Sequence, residues 1–130
     1  MDKKMRILVV DDFSTMRRIV RNLLADLGYD NIVEADDGAP ALQIMKTDAI
    51  DFVVTDWNMP GMTGIDLLRG IRAEPKCARV PVLMVTAEAR REQILDAAKA
   101  GVNGYIIKPF TAATLKEKID KIFERLAAAA

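Results

Sequence analysis

Five polar residues stand at the ends of short apolar runs, and their types suit one kind of chemistry. Asp11 and Asp12 follow Ile7-Leu8-Val9-Val10, Asp56 follows Phe52-Val53-Val54-Thr55, Thr86 follows Val82-Leu83-Met84-Val85, and Lys108 follows Tyr105-Ile106-Ile107. Taken singly, an Asp at a strand end is more often a turn former or helix cap than a nucleophile. Brought together, the three carboxylates would repel: two unit charges about 4 Å apart at an effective dielectric of 20 cost roughly 4 kcal/mol. A hard divalent cation relieves that repulsion, and Mg2+ suits it because it takes few protein ligands and keeps water or phosphate oxygens for the rest of its octahedron. Lys108 cannot bind a metal but can bind a phosphoryl oxygen, and Thr86 offers a hydroxyl donor. The set describes phosphoryl transfer to a carboxylate, with Asp56 as nucleophile.

These residues can meet only if the fold gathers the strand ends, and the patterning predicts that it does. Short apolar runs alternate with helical periodicity along the whole chain, the pattern of an α/β protein with a parallel sheet. Strands are expected at 6–10, 31–35, 50–55, 80–85 and 105–107. In the first helix, Met16, Ile19, Val20, Leu23, Leu24 and Leu27 mark the buried face, with Gly28 past its end and Arg17, Arg18 and Arg21 read as a solvated face. A second helix begins near Pro40 with Ala41, Leu42 and Met45 inward. The third covers 63–73 with Ile65, Leu68 and Ile71 inward, weakened by Gly64 and Gly70. The fourth runs over 90–100 to Gly101, and the last from Thr111 to about Leu126 with Leu115, Ile119, Ile122 and Leu126 inward. In a parallel sheet all the carboxyl ends lie on one edge, where ligands bind at the topological switch point.

Composition narrows the function. The 130 residues fit one domain, with a core at 5–126 and a frayed tail at 127–130. At 51% hydrophobic and 29% charged, the chain has the makings of a sizeable core. Lys+Arg and Asp+Glu balance at 19 each, which gives no field for nucleic acid or an anionic membrane. The absence of histidine excludes Ser-His-Asp and Cys-His catalysis, histidine-ligated zinc and a phosphohistidine on this chain. The single Cys77 has no partner for an internal disulfide and reads as incidental, and no apolar run suits a signal peptide or membrane span. A cytoplasmic monomer is expected.

Four motifs carry a resemblance: Asp11-Asp12; Asp56-Trp57-Asn58-Met59-Pro60-Gly61; Val85-Thr86-Ala87-Glu88-Ala89; and Gly104-Tyr105-Ile106-Ile107-Lys108-Pro109-Phe110. Together, in order over roughly residues 5–126, they make the chain resemble a response-regulator receiver domain of the single-domain kind that serves bacterial chemotaxis. The resemblance implies a doubly wound (βα)5 three-layer sandwich whose five-stranded parallel sheet has the flavodoxin-like order 2-1-3-4-5. It implies that Asp56 is the phosphoacceptor and that Asp11, Asp12, Asp56 and the backbone carbonyl of Asn58 hold Mg2+. Thr86 and Lys108 would assist, Thr86 and Tyr105 would form the switch pair, Asn58 and Glu88 would tune hydrolysis, and Lys108-Pro109 would be cis.

The implied partners are a CheA-like sensor histidine kinase, a FliM-like flagellar motor switch protein and a dedicated phosphatase. The motor would be met on a face made by the fourth helix, fifth strand and fifth helix. A phosphate sink or non-motor paralogue would need the same site residues. A Mg2+-dependent aspartyl-phosphate hydrolase of the haloacid dehalogenase type would need a second Asp two residues after the nucleophile, where this chain has Asn58. Slow self-dephosphorylation, rather than turnover of an external substrate, is therefore expected. Asp36 and Asp37 are read as solvated turn residues, and Trp57 as packing beside the site.

Overall fold

The computed structural model describes residues 3–87 and 90–129. These residues form five alternating strand and helix pairs: β1 (Ile7–Val10), α1 (Ser14–Asp26), β2 (Ile32–Ala35), α2 (Gly38–Thr47), β3 (Phe52–Asp56), α3 (Gly64–Ala73), β4 (Val82–Thr86), α4 (Arg91–Lys99), β5 (Gly104–Ile107) and α5 (Ala112–Ala129). All pairings are parallel, and the sheet order is β2-β1-β3-β4-β5. The expected flavodoxin-like fold is therefore the observed one.

Strand residues are apolar on both sides because helices cover both faces. Leu8, Val10, Val53, Val82 and Met84 pack with Ala41 and Met45 of α2, Leu67, Leu68 and Ile71 of α3, and Ala97 of α4. Their neighbours Ile7, Val9, Phe52, Val54, Leu83 and Val85 pack with Val20 and Leu24 of α1 and Leu115, Ile119 and Ile122 of α5. Period-two alternation thus assigns each strand residue to one of two core layers. Helices α1 and α4 are followed by Gly28 and Gly101, both with positive φ, as a left-handed helix ending requires.

Three details of the helices differ from the sequence pattern. Ile19 is 46% exposed and Leu126 37% exposed, and neither joins the two core clusters. The inward stripe of α3 is Gly64, Leu67, Leu68 and Ile71, with Ile65 only half-buried. The terminal alanines continue α5 to Ala129 as exposed helix, consistent with alanine's high helix propensity.

One polar side chain ties three segments on the side of the sheet opposite the strand ends that carry the acids. Arg72, near the end of α3, donates to the carbonyls of Ala78 (3.2 Å), Val80 (2.6 Å) and Gly101 (2.8 and 3.1 Å), and to Asn103 Oδ1 (2.7 Å). Asn103 Oδ1 also accepts from the Val82 N–H at 2.8 Å. Replacing Arg72 with Leu strands the half-buried acceptors of Ala78, Val80 and Asn103, and a loss of about 2–4 kcal/mol is expected, read as a lower urea midpoint at unchanged slope. Lysine is expected to rescue little of it, because one ammonium cannot reproduce a planar fork with five donors.

Candidate functional site

Each acidic residue reaches the site by a different local route. Asp11 continues the β1 ladder by one bond, its N–H donating to the Ala35 carbonyl at 3.2 Å. The chain then turns, with Asp11 Oδ1 accepting from the Phe13 N–H at 2.9 Å, and α1 begins after Phe13. Asp56 is the last residue of β3, paired with Val85, and Trp57 N–H donates to the Val85 carbonyl at 2.9 Å. The following loop is closed at its neck by the Gly64 N–H on the Trp57 carbonyl, 2.8 Å. A Cβ on Gly64 would run into the Asp56 carbonyl oxygen and lie 2.9 Å from the Trp57 Cα. The glycine that weakens α3 is therefore what lets α3 start against the strand carrying Asp56.

Carboxylate oxygens of Asp11, Asp12 and Asp56 lie within 4.8 Å of one another. Asp11 and Asp56 are 3% and 4% exposed, and Asp12 is half-buried. Burial raises the Asp56 carboxyl above the ordinary carboxylate range, opposed by Lys108, whose Nζ lies 3.2 Å from Asp56 Oδ1. Burial likewise raises Asp11, opposed by the Phe13 N–H and reinforced by the nearby Asp56 charge. Among the described residues, the buried Oδ1 of Asp12 has no hydrogen-bond partner. An unpaired buried acceptor beside two crowded carboxylates fits a hard cation with oxygen ligands.

Around this centre the strand ends place the remaining predicted residues. Lys108 follows β5, its N–H donating to the Thr86 carbonyl at 2.9 Å, and the Lys108-Pro109 peptide is cis. Thr86 is buried at the end of β4 and, with Asn58 and Ala87, lines a polar cleft of about 210 Å3. Tyr105 pairs with Met84, and Thr86 with Ile107, so the two switch candidates share the sheet face that α4 covers. Tyr105 is half-buried, with Lys118 Nζ 5.4 Å from its ring centroid. Trp57 is buried in the core, as is Cys77. Glu88 lies outside the described residues.

Sequence reading overlooked several contributors. Arg90 and Gln93, at the start of α4, line the cleft with Asn58 and Thr86. Arg17 is no solvated arginine: its Nη1 donates to the Asp11 carbonyl at 2.7 Å and its Nε to Glu34 at 3.3 Å. Asp37 is not a free turn residue either, since it caps α2 and accepts from the Met62 N–H at 3.3 Å. Glu34, a glutamate inside the four-residue, half-buried strand β2, was the available signal for Arg17, because a partly buried acid is seldom left without a partner.

A parallel five-stranded fold with acids at the ends of β1 and β3 and a lysine after β5 defines a class, and comparison with known proteins agrees. The chain belongs to the response-regulator receiver family, matching the response regulator receiver domain over residues 7–120. It is closely related to the chemotaxis CheY proteins. It is 71% identical over 126 residues to chemotaxis protein CheY-3 of Vibrio cholerae, covering 97% of each chain, and 67% identical over 122 residues to chemotaxis protein CheY of Pseudomonas aeruginosa, covering 94% of this chain and 98% of that one. Among solved structures it resembles Vibrio cholerae CheY4, with TM-score 0.86 and 31% identity over 92% of this chain and 98% of that one. It also resembles the receiver domain of a Pseudomonas aeruginosa sensor histidine kinase, with TM-score 0.81 and 29% identity over the same shares; that structure has a magnesium ion coordinated in its active-site cleft. The chain is a two-component signalling protein of the chemotaxis type and not a conventional turnover enzyme. Among the described residues, no helix is long and apolar enough to cross a membrane.

Proposed function

We propose that this chain is a phosphorylation-activated regulator of chemotaxis that works as a cytoplasmic monomer. The observation that carries the reading is the convergence of Asp11, Asp12 and Asp56 with Lys108 on the Asp56 carboxylate. Asp11, Asp12, Asp56 and the Asn58 carbonyl would hold Mg2+, which when bound neutralises charge on the transferring phosphoryl group. An Asp56 carboxylate oxygen attacks the phosphorus of a phosphohistidine on a CheA-like kinase. A P–O bond forms, the P–N bond breaks, and the imidazole leaves with the bonding pair and is protonated. Lys108 binds a phosphoryl oxygen and Thr86 donates a hydrogen bond to another. Water later attacks the acyl phosphate slowly, with Asn58 and Glu88 tuning access; a dedicated phosphatase would act at this step.

The sheet register supports this reading of the output. Thr86 and Tyr105 lie on the face covered by α4, so a hydroxyl drawn toward the phosphoryl group frees space for the ring to turn inward. The α4-β5-α5 face then favours a FliM-like motor switch protein, changing flagellar rotation. Its exposed apolar residues, Leu95 and Ile107, suit a short amphipathic peptide. The test is calorimetric binding of a motor-switch N-terminal peptide with and without Mg2+ and beryllofluoride. At least about tenfold tighter binding is expected in the activated state, a shift of roughly 1.4 kcal/mol. Equal affinity in both states would refute the switch and leave the phosphate-sink role.

A further inference from the structure

The segment 34–38, from the end of β2 to the start of α2, gives no side chain to the carboxylate triad, yet it holds both loops that carry the site's oxygen donors. At its strand end, the Glu34 carboxylate accepts from Arg17 Nε at 3.3 Å and from Arg21 Nη1 at 2.7 Å. Arg17 turns back along α1 and donates through Nη1 to the Asp11 carbonyl at 2.7 Å. The Asp11 N–H donates to the Ala35 carbonyl, one residue beyond Glu34. This segment therefore secures both the N–H and the carbonyl of Asp11, the latter through Arg17.

At its helix end the same segment grips the other loop. Asp37 Oδ1 accepts from the Gly38 N–H at 2.6 Å and from the Met62 N–H at 3.3 Å. A Cβ on Gly61 would run into Asp37 Oδ2, and one on Gly38 would lie 2.6 Å from the Met62 Cβ. The loop from Trp57 to Gly64 is thus closed at its neck by the backbone and tied at its far side by Asp37. Without such ties, carboxylates that repel one another would splay their loops apart.

We propose that Glu34, acting through Arg17, and Asp37 are positioning residues that set the spacing of the cation-binding oxygens. This rests on the reading that the triad binds a divalent cation. Outer partners of metal ligands fix ligand orientation, and their loss costs about 10–100-fold in metal affinity. Neither carboxylate belongs to the Asp11, Asp12 and Asp56 cluster, so what matters is the hydrogen bonds they accept rather than their charge.

The experiment is calorimetric titration of the full chain with Mg2+, alongside thermal unfolding in EDTA. Glu34→Ala removes the support of Arg17. Asp37→Ser keeps a cap for α2 but is too short to reach Met62, so folding is preserved while the tie is lost. Both variants are expected to bind Mg2+ about tenfold or more weakly while melting in EDTA close to wild type. Glu34→Gln keeps one amide oxygen for Arg17, and Asp37→Asn keeps one for the Gly38 and Met62 N–H groups; both are expected to bind within about threefold of wild type, as positioning through hydrogen bonds requires. Wild-type affinity in Glu34→Ala and Asp37→Ser would overturn the proposal, as would equal losses in the amide variants, which would mark a charge effect. If wild type itself takes up no Mg2+, the cation reading falls and this inference with it.

Discussion

Asp56→Asn is expected to abolish stable labelling by a small phosphodonor such as acetyl phosphate and, at the same time, to make the metal-free protein more stable. The loss follows from chemistry: an amide oxygen is too weak a nucleophile to replace a carboxylate that must form the acyl phosphate. The gain follows from packing, because the variant removes one of three crowded negative charges and keeps an oxygen for Lys108, 3.2 Å away. About 1–2 kcal/mol is expected, the part of a roughly 4 kcal/mol repulsion that Lys108 leaves uncompensated. Its pH dependence has a definite sign. Burial raises the native Asp56 carboxyl, so the native state holds its proton to higher pH than the unfolded chain. The stability tied to that proton is fully present below the unfolded pKa and is lost as pH rises through the raised native one. The advantage of Asp56→Asn, measured by denaturation in EDTA, should therefore be small in acid and grow as pH passes upward through that window. Persistent labelling of the variant would place the acceptor elsewhere, and a destabilised variant would mean that Lys108 outweighs the repulsion.

Mg2+ is expected to stabilise the wild-type protein strongly, and Asp12→Ala to erase that effect. A ligand that binds only the native state adds about 2.7 kcal/mol at 100 times its Kd. Here it would also satisfy the one buried carboxylate oxygen of Asp12 that has no partner among the described residues. Removing Asp12 takes away that acceptor and one charge from the cluster, so the variant should melt higher than wild type in EDTA and gain almost nothing from Mg2+. Thermal unfolding of both proteins across a Mg2+ series measures the two slopes directly. An Asp12→Ala protein that gains as much from Mg2+ as wild type would exclude Asp12 from the cation site.

The sequence alone carried much of this design because its information is local and repeated. Apolar runs of strand length alternating with helical stripes specify the α/β class, since only helices on both faces can bury strands that are apolar on both sides. The three carboxylates, Thr86 and Lys108 could be picked out because each terminates such a run, and parallel strands must end on one edge. The order of the strands came from the family resemblance, since pairing partners are set by contacts distant in the chain that periodicity does not record.

What tertiary structure decided is how the site is held. Gly64 reads locally as a weak point in a helix, and only its approach to the Asp56 backbone shows why no larger residue would fit. Arg17, Arg21 and Asp37 look like solvent-facing charges because a helix surface or a turn predicts exposure for them; the partners that engage them, Glu34 and Met62, come from other elements. Ile19 and Leu126 follow the apolar pattern of their helices yet stay exposed, because a helical period marks a face without saying how much of it the core covers. Residue type at a strand end determined which groups could do the chemistry. The packing of β2 and α2 against two loops determined where those groups are held, because hydrogen bonds between distant segments leave no period in a sequence.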